Sequence, residues 1–419
     1  MAKYIPTAQQ SDVTVKFGPW PKGMNNRQPD YALPDGTLRN LVNIDVDNSG
    51  HLRLRDGHTK VFSGIGCRGG FSCSLGTYFI RGTDLCRFNA GNTATVLLSG
   101  VTGPTPTYAF FNDVVYFSDG RIVRTITAAG VQPWGIPVPA KPFVYVVDGT
   151  MPEGDYLVAV TSVDDNYVES GASEVAEITI PADTTGSIVV SGLPSALITR
   201  VYVSTPNGAT LFLTEELDAG TASVTIDDAE LGEEAPLVTR DIVPPPAGQI
   251  IREYAGRIYI ASGRVLWVTE PYAPSWVNLI GGFIMQTDDI TVLEPVETGV
   301  WVVSDQTYFF QGDGPENFNI RSKLPYGAVL GTSSKVPYTP DVVWYSNRGL
   351  ILATGDGQVK NLQEQEVAPH TGTSGATLIR EQDGLRQAVV SVQNAQMSQL
   401  AATSFMEMEV VRKAGGHQP

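Results

Sequence analysis

Glycoside hydrolysis needs two carboxylates facing each other across a sugar, and clustered arginines where the substrate is itself a carboxylate. The candidates here are Asp288, Asp289, Glu294, Glu297 and Asp341. Adjacent strand residues point to opposite faces, so Asp288 and Asp289 cannot serve one site from one strand. The Ser-x-Asp-x-Gly-x-x-Trp box of sialidases does not occur. The four histidines, His51, His58, His370 and His417, are scattered through turn-like and tail segments without metal-ligand spacing, which suits exposed turn residues. There is no Gly-x-Ser-x-Gly elbow and no Gly-Lys-Ser/Thr phosphate loop. GDGPEN and TGDGQVK are acidic glycine turns that do not fit a twelve-position calcium loop. Cys67, Cys73 and Cys86 are odd in number and lack metal spacing, so they are expected to be reduced and mostly buried. Neither catalytic, cofactor-binding nor metal-binding residues are expected, and no enzyme activity.

Charge narrows the remaining classes. Nucleic-acid recognition requires a basic stripe with aromatics. HLRLR places Arg53 and Arg55 on one strand face, but the net charge is -16 and no second basic cluster exists. The pair is therefore read as a subunit contact or a blade-surface pair. Residues 143 to 245 hold eighteen acidic residues against only Arg200 and Arg240, a composition shift that marks a separate solvent-bathed unit. The N-terminus lacks a signal-peptide core, and no run is long and apolar enough to span a membrane, so synthesis in a cytoplasm is expected.

The positioning elements are strands. Gly 43 and Pro 28 are high, and Val, Thr, Tyr, Phe and Ile dominate the apolar runs. The pair LVNIDV and HLRLR, joined by Asp47-Asn48-Ser49-Gly50, reads as a hairpin. The pattern recurs at 77 to 88, 112 to 126, 256 to 270, 299 to 312 and 341 to 354. Once the acidic stretch is set aside, the turns fall about 32 to 42 residues apart, the spacing of propeller blades. The fold class expected is all-β: a β-propeller of about six blades with an inserted β-sandwich that resembles fibronectin type III-like modules. The divisions are an extended arm over 1–35, a propeller over 36–142 and 246–370, the insertion over 143–245, and C-terminal strands and tail over 371–419. GTSGAT reads as flexible, with RQAVVSVQ and FMEMEVVR as possible strands. PWGIPVPAKP and VPPPAG read as stiff linkers leaving and re-entering one blade junction.

The opening now has a context. Gly-Met-Asn-Asn (23–26), a Pro/Asp-Gly approach, and Gly-x-Leu-x-x-Arg-x-Gly at Gly50, Leu52, Arg55 and Gly57 resemble the N-terminal segment of bacteriophage tail nozzle (tail hub, or DNA-stabilisation) proteins. LWVTEPYAPSWVN (266–278), then Asp-Asp-Ile and GVWVVSDQTYFFQG, is similar to a later element of that family. The likeness covers roughly 15–135 and 250–365. It implies a structural virion protein without a catalytic role or cofactor. The protein would be a homo-oligomeric ring, expected to be a hexamer, below the portal and adaptor of a short-tailed phage, with genomic DNA passing through its lumen without specific binding. Tail fibres or a needle would be further partners, and the arm, with Asn25 and Asn26, joins Arg53 and Arg55 as expected subunit contacts. Two other readings remain: a receptor-binding, fibre-like protein gripping glycans, with Trp134, Trp276, Trp301 and Trp344 as platforms, and a tail-associated glycosidase. As strand aromatics, those tryptophans are expected in the core.

Overall fold

The computed structural model describes residues 18–397 apart from 56, 58, 61, 228–230, 383 and 394–395. Among the described residues there are strands and one 3-10 turn at Asp30–Ala32, but no α-helix. His58, His417 and the FMEMEVVR segment lie outside the described residues.

Five antiparallel sheets follow one another along the chain. The first contains Cys67–Cys73, Gly76–Arg81, Asp84–Asn89 and Thr93–Ser99, and the second Thr107–Phe111, Val114–Ser118, Val123–Thr127 and Gly130–Pro133. The third is built on Ile250–Tyr254, Arg257–Ser262 and Val265–Glu270, with Ala273–Asn278 and Phe283–Met285 both paired to the last of these. The fourth has Val292–Val296, Gly299–Val303, Thr307–Gln311 and Asn319–Leu324, and the fifth Ser334–Lys335, Val342–Ser346, Gly349–Ala353 and Val359–Asn361. In each, the hairpin read from the sequence supplies two interior strands.

Period-two alternation lets each of the three middle sheets pack on two others. In Arg257–Ser262, Ile258 and Ile260 pack with Tyr116 and Trp134 of the second sheet and its exit. Tyr259 and Ala261 of the same strand pack toward Leu293, Val300 and Phe310 of the fourth. In Gly299–Val303, Val300 and Val302 join that cluster, whereas Trp301 and Val303 join Trp344 and Ile351 of the fifth. Tyr78, Ile80 and Leu85 of the first sheet meet Val115 and Phe117 of the second. Each consecutive pair of sheets thus shares one apolar cluster.

Between the second and third sheets, seven further strands form two facing sheets. One runs in the order Phe143–Met151, Gly186–Ser191, Ser223–Ile226, and the other Ala176–Ile180, Gly154–Val163, Ile198–Ser204, Leu211–Leu217. Their own core holds Tyr156, Val158, Val160, Ile188, Val190 and Val201. The linkers on either side are neighbours, since a Cβ on Gly135 would lie 2.9 Å from Pro244, and Trp134 ties the first linker to the third sheet by donating from Nε1 to Pro274 O at 2.8 Å.

The chain ends differ in two places from the expectation of an extended arm and a flexible GTSGAT. Residues from Gly18 to Leu38 fold back on their own chain: Trp20 N–H donates to Gly50 O at 2.7 Å and Asn26 N–H to Glu366 O at 3.1 Å. Gly50 (φ +83°) is required there, because a Cβ would lie 2.6 Å from Pro21 N. GTSGAT is not a loose link, since Ser374–Gln382 is a strand and Thr377 Oγ1 donates to Thr332 O at 2.6 Å. Its partner is Leu385–Gln393, which contains RQAVVSVQ.

Candidate functional site

The first strands of consecutive sheets carry one polar network. Glu294 stands within the apolar strand Val292–Val296 and is 2% exposed. A carboxylate so buried needs a partner. Arg252, on Ile250–Tyr254, grips it at both oxygens, with Nη2 2.7 Å from Oε1 and Nε 3.2 Å from Oε2. Ser333, just before the fifth sheet, donates to Oε1 at 2.7 Å. Arg252 Nη1 also reaches Thr107 Oγ1 of the second sheet at 3.4 Å, and that oxygen accepts Ile251 N–H at 3.0 Å. Four consecutive sheets are therefore joined through one ion pair. Burial alone would raise the Glu294 pKa, but Arg252, the Ser333 hydroxyl and Lys335 outweigh it and hold the carboxyl below its usual range. An ionised carboxylate with both oxygens engaged has no proton to give, so Glu294 is a clamp between sheets. The other acidic candidates lie apart from it in type: Asp288, Asp289 and Glu297 are exposed, and Asp341 sits in a turn where Val336 N–H donates to its carbonyl.

A second network joins the chain ends. Asp45, on the hairpin Ile44–Val46/Leu52–Leu54, is 6% exposed and accepts from Arg55 Nε at 3.1 Å and from Arg380 of the C-terminal hairpin. Asn48 Nδ2 reaches Gly384 O at 3.3 Å. Burial would raise the Asp45 pKa, and the two arginines lower it further than burial lifts it. Of the expected contact residues, Asn25 is buried, and its side-chain oxygen accepts the N–H groups of Arg27 and Gln28, both at 3.2 Å. Asn26 Oδ1 accepts Ala368 N–H at 2.6 Å. Arg55 is committed to Asp45, and Arg53 lies on the exposed strand between Leu52 and Leu54.

The acidic sandwich is fastened as well as linked. Trp276 donates from Nε1 to the Glu169 carbonyl at 2.7 Å. The Glu169 side chain accepts from Thr161 Oγ1 at 2.6 Å, Tyr202 OH at 2.7 Å and Arg200 Nη1 at 3.0 Å. Ala172 N–H donates to Thr239 O, and a Cβ on Gly171 would fall 1.8 Å from Ile242 O. Gly171→Ala should therefore push the sandwich off its linker and destabilise the protein by about 1–3 kcal/mol, read as a lower thermal midpoint.

Trp134, Trp301 and Trp344 are core residues, at 2%, 0% and 0% exposed, and Trp276 is half-buried. Cys86 is buried, which pushes its thiol pKa up, but Cys67 is exposed, contrary to expectation, because it begins the first strand of the outermost sheet in the series. Among the described residues, no group of three His, Cys, Asp or Glu is placed to hold a metal, and no helix is long and apolar enough to cross a membrane. Sequence reading missed Arg252, Ser333, Asp45 and Arg380. The available signal was Glu294 itself, an acid inside an apolar strand, which demands a cation without saying where it comes from.

The depressed acids make stability depend on pH in a defined direction. A carboxyl whose folded pKa lies below its unfolded value stabilises the fold above the unfolded pKa, and that contribution is lost as pH falls through the folded value. The thermal midpoint should be flat from neutral pH to about pH 5 and fall below about pH 4, where unfolded Asp and Glu take up protons. Glu294→Gln should flatten part of that fall; an unchanged acid slope would remove Glu294 from the account.

No family model matches the chain, and no curated protein does. Among solved structures it is similar to BBS1N in its crystalline complex with ARL6DN, in a mercury-soaked form, at 12% identity and a TM-score of 0.31, covering 77% of this chain and 88% of that one. The lead-soaked form gives 12% and 0.30, covering 78% and 93%. The extracellular domain of the putative one component system BT4673 from B. thetaiotaomicron is similar at 11% and 0.24, covering 85% of this chain and 49% of that one. Likenesses this loose carry no argument about function, and the architecture described above rests on the strands themselves.

Proposed function

We propose that the chain is a structural virion protein of a short-tailed bacteriophage that forms the distal tail ring, or nozzle, below the portal and adaptor. The observation that carries this reading is the serial stack of five sheets, four of them clamped together through Thr107, Arg252, Glu294 and Ser333. Such a stack is a rigid body of the kind that a closed ring of identical copies needs. In this reading the sheets are propeller blades. The two terminal hairpins, joined through Asp45 and Arg380, complete a sixth. The acidic sandwich of 143–245 is a fibronectin type III-like insertion at the junction of the second and third blades.

The residues that carry the nozzle resemblance have structural work within one copy. Asn25 and Gly50 fold the opening back on the chain, Arg55 neutralises Asp45, and Trp276 holds the sandwich. Contact between copies is then placed on the strand Leu52–Leu54, on the face where Leu52 and Leu54 are exposed at 36% and 78%. The homo-oligomer is a hexamer in this reading, and the adaptor, with fibres or a needle, supplies its other partners. DNA passes through a lumen that does not grip it, in keeping with the net charge of -16. Sedimentation velocity tests the proposal: a discrete multi-copy species is expected, weakened by Leu54→Asp, and a purely monomeric protein at high concentration would sink it.

A further inference from the structure

Of the strands that end the two sheets of the acidic sandwich, Phe143–Met151 is the longest. Among the described residues it pairs with Gly186–Ser191 on one side and with no strand on the other. Val144 and Val146 turn inward to the sandwich core, which leaves Phe143, Tyr145 and Val147 on the outside at 74%, 51% and 38% exposed. An unprotected edge bearing alternate apolar side chains is a template for one more strand. Immunoglobulin-type sandwiches fill the corresponding place with a strand of their own. A cavity of about 720 Å³ opens at the same corner, walled by Phe143 and Val144 on one side and Ala176 and Glu177 on the other.

We propose that this edge receives residues 8–17 of a neighbouring copy as an added strand. That segment reads AQQSDVTVKF, in which Val13, Val15 and Phe17 alternate with polar residues at the period of a strand. Its charges complement the receiving surface: residues 1–17 carry Lys3 and Lys16 against Asp12, and the sandwich stretch is acidic by eighteen to two. The segment ends where the described chain begins, at Gly18, from which the chain is tied to its own fold. That the donor is a neighbour rests on the ring reading. The receiving edge does not.

Two measurements separate them. Full-length copies carrying Val15→Cys, mixed with copies carrying Tyr145→Cys and with Cys67→Ser in both, should form a disulfide-linked pair on a non-reducing gel. Tyr272→Cys, more exposed still at 75% in a turn of the third sheet, should not. A chain shortened to begin at Gly18 should bind a synthetic peptide of residues 8–17, and Phe143→Lys/Tyr145→Lys should weaken that binding by about tenfold or more, since cross-strand pairs carry it. Rings seen by microscopy without the Val15–Tyr145 link would overturn the strand addition and leave the ring standing. Peptide binding without rings would sustain the receiving edge and sink the ring. A peptide that fails to bind, or that binds the double-lysine variant as well as it binds the parent, overturns the proposal outright.

Discussion

Arg252→Ala is expected to destabilise the protein by about 3–5 kcal/mol, because it leaves Glu294 buried without its cation. The expectation follows from geometry. Glu294 is 2% exposed, both of its oxygens face Arg252, and its remaining bond is the Ser333 hydroxyl. The loss should exceed that from Arg386→Ala, whose partner Glu381 is half exposed. Replacing both members of the buried pair, as Arg252→Met with Glu294→Leu, should restore most of the stability, since the desolvation cost disappears with the charges. Urea unfolding of the three variants decides the matter. A single variant as stable as the parent would mean that water reaches Glu294.

Trp301→Ala carries the other large effect, about 3–5 kcal/mol from lost burial and the cavity left behind. Trp301 is fully buried between the fourth and fifth sheets, with its ring 4.7 Å from Phe309 and 5.8 Å from Trp344, and Nε1 donates to Thr354 O at 3.2 Å. Trp301→Phe should cost less, because it keeps a ring in the gap and forfeits one hydrogen bond. If the tryptophans served as sugar platforms instead, Trp301→Ala would abolish glycan binding at little cost in stability. Thermal unfolding distinguishes the two.

The all-β class and the central hairpins were legible because alternation is a local property. Tyr-Phe-Ile-Arg at 78–81 and Val-Trp-Val-Val at 300–303 declare their strands without help from the rest of the chain. Outer strands were not legible: Asn319–Leu324 is mostly exposed, so neither of its faces needs to be apolar. Partners distant in sequence were hidden for another reason. Glu294 announces a buried charge, but its cation comes from another strand 42 residues away, and Asp45 finds Arg380 from the opposite end of the chain. Nothing local encodes either pairing. The opening was expected as an extended arm because what ties it to its own chain is backbone bonds to Gly50 and Glu366, which no apolar pattern announces.

The central claim is that copies of this chain close into a ring. Electron microscopy of the purified full-length protein tests it most directly. The account predicts closed rings with sixfold class averages, a central opening, and the acidic sandwich as a projection from each copy that disappears when residues 143–245 are replaced by a short Gly/Ser bridge. Fields of single compact particles at every concentration, with or without the sandwich, would contradict it.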